Sequence, residues 1–214
     1  MPPGTIAIPL EHFVRDLAVG QTAETIIRNL AHELRQPLSA LESIAFYLDL
    51  MSDQEDPKVR SQLRKLRQLV QQSDCAVSNA VLTAGVSPLT LSTVNLADLV
   101  AECAIDWASE HRLQVGLVRP DRFRLQLLDE SQIKLLMRNI LSFLRRGSLA
   151  SIAISATADD AEVIVESQEM QIPDADSLAL SAIHKILLQH RGALQIEDGP
   201  EDSRRVRFTL PFRF

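Results

Sequence analysis

His32 stands directly before Glu33 and is followed at short range by Arg35, Gln36 and Pro37. A histidine beside a carboxylate supplies a nucleophile and a group able to orient or deprotonate it, because imidazole titrates near pH ~6.5 and has two distinct nitrogens. Around this pair Ile27, Leu30, Leu34, Leu38, Leu41, Ile44, Ala45 and Leu48 recur at three- and four-residue steps. That is one apolar stripe of a helix, and His32, Arg35, Gln36 and Ser39 fall outside it. Pro37 has no N–H for the carbonyl of Glu33, which predicts a bend beside the histidine.

The elements that must carry this face are two long helices. Thr22 and Thr25 can open the first, which runs to about Met51, and the polar stretch from Ser52 to Asp56 turns the chain. Pro57 is placed to start the second helix, which runs to about Ala84. In it Val59, Leu63, Leu66, Val70, Val77, Ala80 and Ala84 form a heptad-like seam matching the first. A hairpin of two helices has too little interior to bury both stripes, so two copies are expected to pair as a dimeric four-helix bundle. The alternative is packing of the hairpin onto the chain's own second half. A short helix from Leu10 to Ala18 is expected before it, after an irregular lead-in.

Gly85-Val86-Ser87-Pro88 breaks the helical rhythm and divides the chain into domains 1–86 and 87–214. Beyond it the pattern predicts a helix from Leu96 to Ser109 capped by Asn95, strands 114–118 and 123–128, and a helix from Ser131 to Arg145. Strands 150–156 and 161–166, a helix from Leu178 to His190, and strands 193–197 and 205–211 follow. The fold class is α plus α/β: a helical hairpin, then an α/β sandwich whose mixed sheet has one face covered by helices.

The chain has 214 residues, 46% of them hydrophobic, enough for a real core. A net charge of −6 and a pI near 5.4 argue against nucleic acid as main partner. Runs such as Arg64-Lys65-Leu66-Arg67 read as solvated helix faces. Cys75 and Cys103 lack metal-ligand spacing and read as structural thiols of a reducing compartment. No apolar run approaches the ~20 residues that span a bilayer, and the amino terminus lacks the basic start of a signal peptide, so a cytoplasmic protein is expected. His12, His111, His184 and His190 have neither an adjacent carboxylate nor a metal-ligand partner at helical spacing.

These residues carry a resemblance that covers nearly the whole chain. The first half resembles the dimerisation and histidine-phosphotransfer domain of two-component sensor histidine kinases, whose phosphoacceptor motif His-Glu-Leu-Arg-x-Pro-Leu is matched at every fixed position from His32 to Leu38. The second half is similar to the catalytic ATPase domain of the same family. Asp129 falls where an aspartate opens a helix there, and Leu135 to Leu141, with Asn139, resembles the start of the asparagine-containing N box. Ser177 to Gly192 lies without gaps on the helix that ends in His-Gly-Gly, with His190 at a structural histidine.

The nucleotide positions depart from the family. Phe143 replaces the second N-box asparagine and offers no oxygen to Mg²⁺. Ser167, Glu169 and Gln171 replace the aspartate and two glycines of the next box. Ser177 and Ala179 replace the glycines of Gly-Leu-Gly-Leu, whose backbone N–H groups must reach phosphates without a Cβ in the way. Only Asp174, Ala175 and Asp176 stand where the family has a long lid. No nucleotide cofactor and no resident metal are therefore expected. The resemblance implies a phosphorelay protein that passes phosphoryl groups through His32 to or from response-regulator receiver domains, the receiver supplying Mg²⁺. Glu33 would orient the imidazole, and Arg35 and Gln36 would contact the receiver or the phosphoryl oxygens. A divergent ATP-dependent kinase and a non-catalytic scaffold that sequesters a receiver are the competing classes. Receiver dephosphorylation is left open by Gln36, where the family has threonine or asparagine.

Overall fold

The computed structural model describes residues 23–51, 57–85, 88–111 and 113–212. The expected helix from Leu10 to Ala18 lies outside these residues. Helices α1 (Ala23–Met51) and α2 (Pro57–Ala84) form the hairpin. They run antiparallel, with Arg67 on Asp49 at 3.0 Å and Arg35 on Asp74 at 3.8 Å tying one to the other. Helix α1 continues through Pro37. Among its described residues only Ala31 and Ala45 are buried, whereas Leu30, Leu34, Leu41, Ile44 and Leu48 stay exposed. The hairpin thus hides two alanines of α1, half-buries Ile27 and Leu38, and leaves the other large residues of the stripe exposed.

The second half comprises β1 (Ser92–Val94), α3 (Leu96–His111), β2 (Gln114–Val118), β3 (Gln126–Leu128), α4 (Glu130–Leu141), β4 (Leu149–Ala156), β5 (Asp160–Ser167), α5 (Leu178–Gln189), β6 (Ala193–Asp198) and β7 (Arg204–Pro211). Five strands make one mixed sheet in the order β2-β4-β5-β7-β6, parallel at β2–β4 and antiparallel elsewhere. Strands β1 and β3 pair separately. Strict alternation in β5 sends Ala161, Val163 and Val165 into the core, where they meet Ile133, Met137 and Ile140 of α4 and Ile183 and Ile186 of α5. The opposite face is polar, and Arg205 bridges Glu166 at 2.9 Å and Glu197 at 3.5 Å there.

Two elements differ from the sequence expectation. Helix α4 stops at Leu141, not Arg145, because Phe143 and Leu144 turn into the core and Leu144 bridges Met170. The strand expected over 123–128 is confined to Gln126–Leu128. Helix α3 begins as expected, the Asn95 side chain accepting from the N–H groups of Ala97 at 3.1 Å and Asp98 at 3.3 Å.

Candidate functional site

On α1, His32, Glu33 and Gln36 are exposed. His32 and Gln36 are one full turn apart and Arg35 lies beside them, so the three share a helix face. Glu33 projects about 100° around the helix from His32, and no hydrogen bond joins the two. Arg35 reaches across the hairpin, donating to Ser78 Oγ at 3.2 Å and facing Asp74. His32 thus stands open to solvent, on a helix whose next turn is tied to α2 through Arg35.

The residues at the nucleotide positions of the second half form a different neighbourhood. Phe143 is buried and belongs to the hydrophobic core, as does Met170. Gln171 N–H donates to Phe143 O at 2.7 Å, and Arg145 N–H to Glu169 O at 3.4 Å, so segment 169–171 runs directly against 143–145. Ser167 is buried and spends its hydroxyl on Leu149 O at 2.8 Å. Ser177 caps α5, accepting from Leu180 N–H at 3.3 Å, and Ala179 is half-buried. Between Pro173 and α5 the chain closes in a tight turn, Ser177 N–H to Asp174 O at 2.9 Å. These residues do not fit Mg²⁺-nucleotide in the family's mode: a phenyl ring, paired backbone and Cβ atoms stand where oxygens and bare N–H groups are required.

Asn139 is the exception among the box residues, because it has found a partner on the hairpin. Its Nδ2 donates to Asn79 Oδ1 at 2.8 Å and its Oδ1 accepts from Asn79 Nδ2 at 2.8 Å. Both side chains are buried, 1% and 4% exposed. Cys75 Sγ lies 3.4 Å from the same Oδ1. Nearer the turn, Gln68 and Gln71 donate to the backbone and side chain of Glu110 at 3.1 and 3.0 Å. Past the helix end, Lys185 of α5 donates to the Thr83 and Gly85 carbonyls. Leu82 joins the core of the second half. The C-terminal half of α2 thus does pack on the α/β domain. The sequence signal was Gln68, Gln71, Cys75, Asn79 and Leu82 at three- and four-residue steps, a mostly polar row that apolar periodicity passes over.

Asp129 and His190 hold the opposite end of α4. Asp129 caps that helix, accepting from Gln132 N–H at 3.1 Å, Ser131 Oγ at 2.6 Å and Thr90 N–H at 2.9 Å. Burial would raise its carboxyl pKa, and these hydrogen bonds overcome that to hold it below the usual value. Asp129 N–H donates to His190 Nε2 at 3.1 Å, and His190 Nδ1 lies 2.8 Å from Ile186 O. That pairing needs a neutral ring protonated on Nδ1, and burial lowers the His190 pKa from 6.5. The unfolded chain therefore binds the proton more readily. Stability is full above about pH 6.5 and falls as pH drops toward the folded pKa, with a slope of up to about 1.4 kcal/mol per pH unit. Urea unfolding at pH 7.5 and 5.5 checks this, and His190→Gln is expected to flatten that interval.

No protein-family model and no curated protein matches the sequence. Solved structures do match, and they place the chain in the fold of the histidine kinases: a helical hairpin followed by an ATPase-type α/β domain. Full-length ShkA, solved in complex with AMPPNP, aligns with a TM-score of 0.61 at 19% identity, over 89% of this chain and 46% of that one. The chain thus spans about half the length of ShkA. Histidine kinase AdeS of Acinetobacter baumannii aligns with a TM-score of 0.54 at 14% identity, over 86% of this chain and 98% of that one. The catalytic domain of histidine kinase ThkA gives 0.51 at 17% identity, over 58% and 98%. No helix among the described residues is long and apolar enough to cross a membrane.

Proposed function

We propose that this chain is a histidine phosphotransferase of a two-component phosphorelay, exchanging phosphoryl groups between His32 and aspartates of response-regulator receiver domains without using ATP. The observation that carries the reading is the contrast between an open, solvent-facing His32 and nucleotide positions closed by Phe143, Met170 and paired backbone. In the forward step a nitrogen of His32 attacks the phosphorus of a receiver's aspartyl phosphate. A P–N bond forms, the P–O bond to the aspartate breaks and leaves a carboxylate, and the displaced imidazole proton passes to Glu33 or water. Arg35 and Gln36 sit on the same face to meet the phosphoryl oxygens. The reverse step charges a second receiver. Any Mg²⁺ comes with the receiver, which agrees with a chain that has no oxygen ligand at Phe143. The exposed leucines of α1 support a homodimer, in which two hairpins close a four-helix bundle.

The test is transfer from receiver domains charged with phosphoramidate. The wild-type chain is expected to gain an acid-labile, base-stable label, and His32→Ala to gain none, a loss of at least about 10³-fold. The likeness to ShkA, whose structure holds an ATP analogue, supports a second reading as a divergent kinase. Label appearing on His32 from Mg²⁺-ATP alone would decide for that reading.

A further inference from the structure

We infer that Asn79 and Asn139 form an interdomain latch that fixes the α/β domain on α2 at the height of His32, and that they act as positioning residues for phosphoryl exchange. The phosphoryl part of this inference rests on the function proposed above; the latch itself does not. Antiparallel register sets the height. Arg67 pairs with Asp49, and Arg35 pairs with Asp74 and Ser78, so moving three residues back from Arg35 to His32 moves a similar number forward on α2, to the turn containing Asn79. The asparagine at the first N-box position has thus been turned toward the phosphoacceptor hairpin.

The chemistry of the pair makes it a latch rather than incidental contact. Two amides exchanging both hydrogen bonds, each at 2.8 Å, satisfy each other only in one relative placement of α2 and α4. Buried as they are, separating them without water costs the full desolvation of both groups. Around them the seam is not packed like a core. A cavity of about 380 Å³ lies between α2, α3 and α4, with Gln72, Cys75, Cys103, Trp107 and Arg138 among its walls. Lys185 closes the far end by capping the carbonyls that finish α2. Beyond Leu82, which enters the domain's core, the seam is held by amides and a capping lysine around an open volume, bonds that water can replace. The α/β domain is then a platform whose placement beside His32 depends on one apolar anchor and a few polar contacts, not on a bound nucleotide.

The two cysteines of the chain report on the seam, since both line that cavity. Burial pushes the Cys103 thiol up to about 11 and raises Cys75 as well, so both are slow to react while the domain is docked. The experiment is maleimide labelling of the full chain, with each cysteine followed separately by peptide mass spectrometry, for wild type, Asn79→Ala, Asn139→Ala, the double alanine variant and the milder Lys185→Gln. Val163→Ala, in the sheet core, controls for general loss of stability. Each asparagine variant is expected to raise labelling of both cysteines about ten-fold or more, the double variant no further than the singles, and Lys185→Gln a few-fold. Unchanged labelling in all of them, or rises that follow global stability as Val163→Ala does, overturns the latch. In parallel, His32 is charged either by phosphoramidate directly or by a phosphorylated receiver. Asn139→Ala is expected to keep the phosphoramidate rate and lose about ten-fold in the receiver reaction. Equal receiver rates in variant and wild type overturn the positioning role. A wild type that accepts from no receiver overturns the proposed function, while the thiol result still decides the latch.

Discussion

Leu41→Glu together with Leu48→Glu is expected to hold the chain as a monomer under conditions where the parent sediments as a dimer. Both leucines are largely exposed in the single chain, 42% and 47%, on a helix whose only described buried residues are alanines. Helix α2 leaves much of this stripe uncovered, and in the proposed homodimer a second hairpin would supply the missing wall. Burying a leucine side chain is worth roughly 1.5–3 kcal/mol, and two-fold symmetry counts each position twice. More than half of each side chain is already covered in the single chain, so losing four such contacts removes on the order of 3–6 kcal/mol, which raises the dissociation constant by about 10²–10⁴-fold, before any cost of burying carboxylates. Sedimentation velocity across a concentration series measures this. A parent chain that stays monomeric at about 100 μM, well above the range of an interface this apolar, counts against the bundle. The α/β domain has its own core in the sheet and helices α3 to α5, so its unfolding transition is expected to persist in the variant.

How much of this was legible in the sequence follows from the range of the forces involved. The face that carries His32 can be read because it is local: a helix period and a six-residue neighbourhood of His32 place the side chains without knowledge of the rest. The bounds of α2, Pro57 to Ala84, could be read for the same reason, since proline marks its start and the loss of periodicity its end. Where the reading fell short, contacts distant in sequence decide. Strand β1 is three residues long, and its ladder partner, Gln126–Leu128, lies more than thirty residues on. Helix α4 is cut short because Phe143 and Leu144 are drawn into a core that segment 169–171 completes. The Asn79–Asn139 pair was invisible because hydrophobic patterning detects burial in oil, and here burial is bought with matched amides. Asn139 stands out in the sequence only for the box it resembles, and Asn79 only as one member of a mostly polar row on α2 that apolar periodicity passes over.

Phe143→Asn, the substitution that rewrites the second N-box asparagine, is expected to unfold the domain more readily and to create no nucleotide site. Phe143 is 5% exposed and packs within the same core cluster as Leu144 and Met170. Removing a buried phenyl ring costs about 3–5 kcal/mol, and the new amide adds the cost of a polar group without a partner. For a chain of this size that lowers the melting temperature by on the order of 10 °C or more. Urea midpoints measure the loss, and calorimetry with Mg²⁺-ATP is expected to give no binding heat; binding in the micromolar range would show that this one position closes the site. The reason for expecting none is that the neighbouring positions have each taken other work. Ser167 is bonded to Leu149 O, Gln171 N–H to Phe143 O, and Ser177 to the N-terminus of α5, while Asn139 is held by Asn79. A metal ligand restored beside them would face groups whose hydrogen bonds already hold the fold together. Recovering a nucleotide would require freeing those bonds one by one, and each step costs stability before any phosphate is gained. The second half has therefore been committed as structure at these positions, and one restored ligand does not undo that commitment.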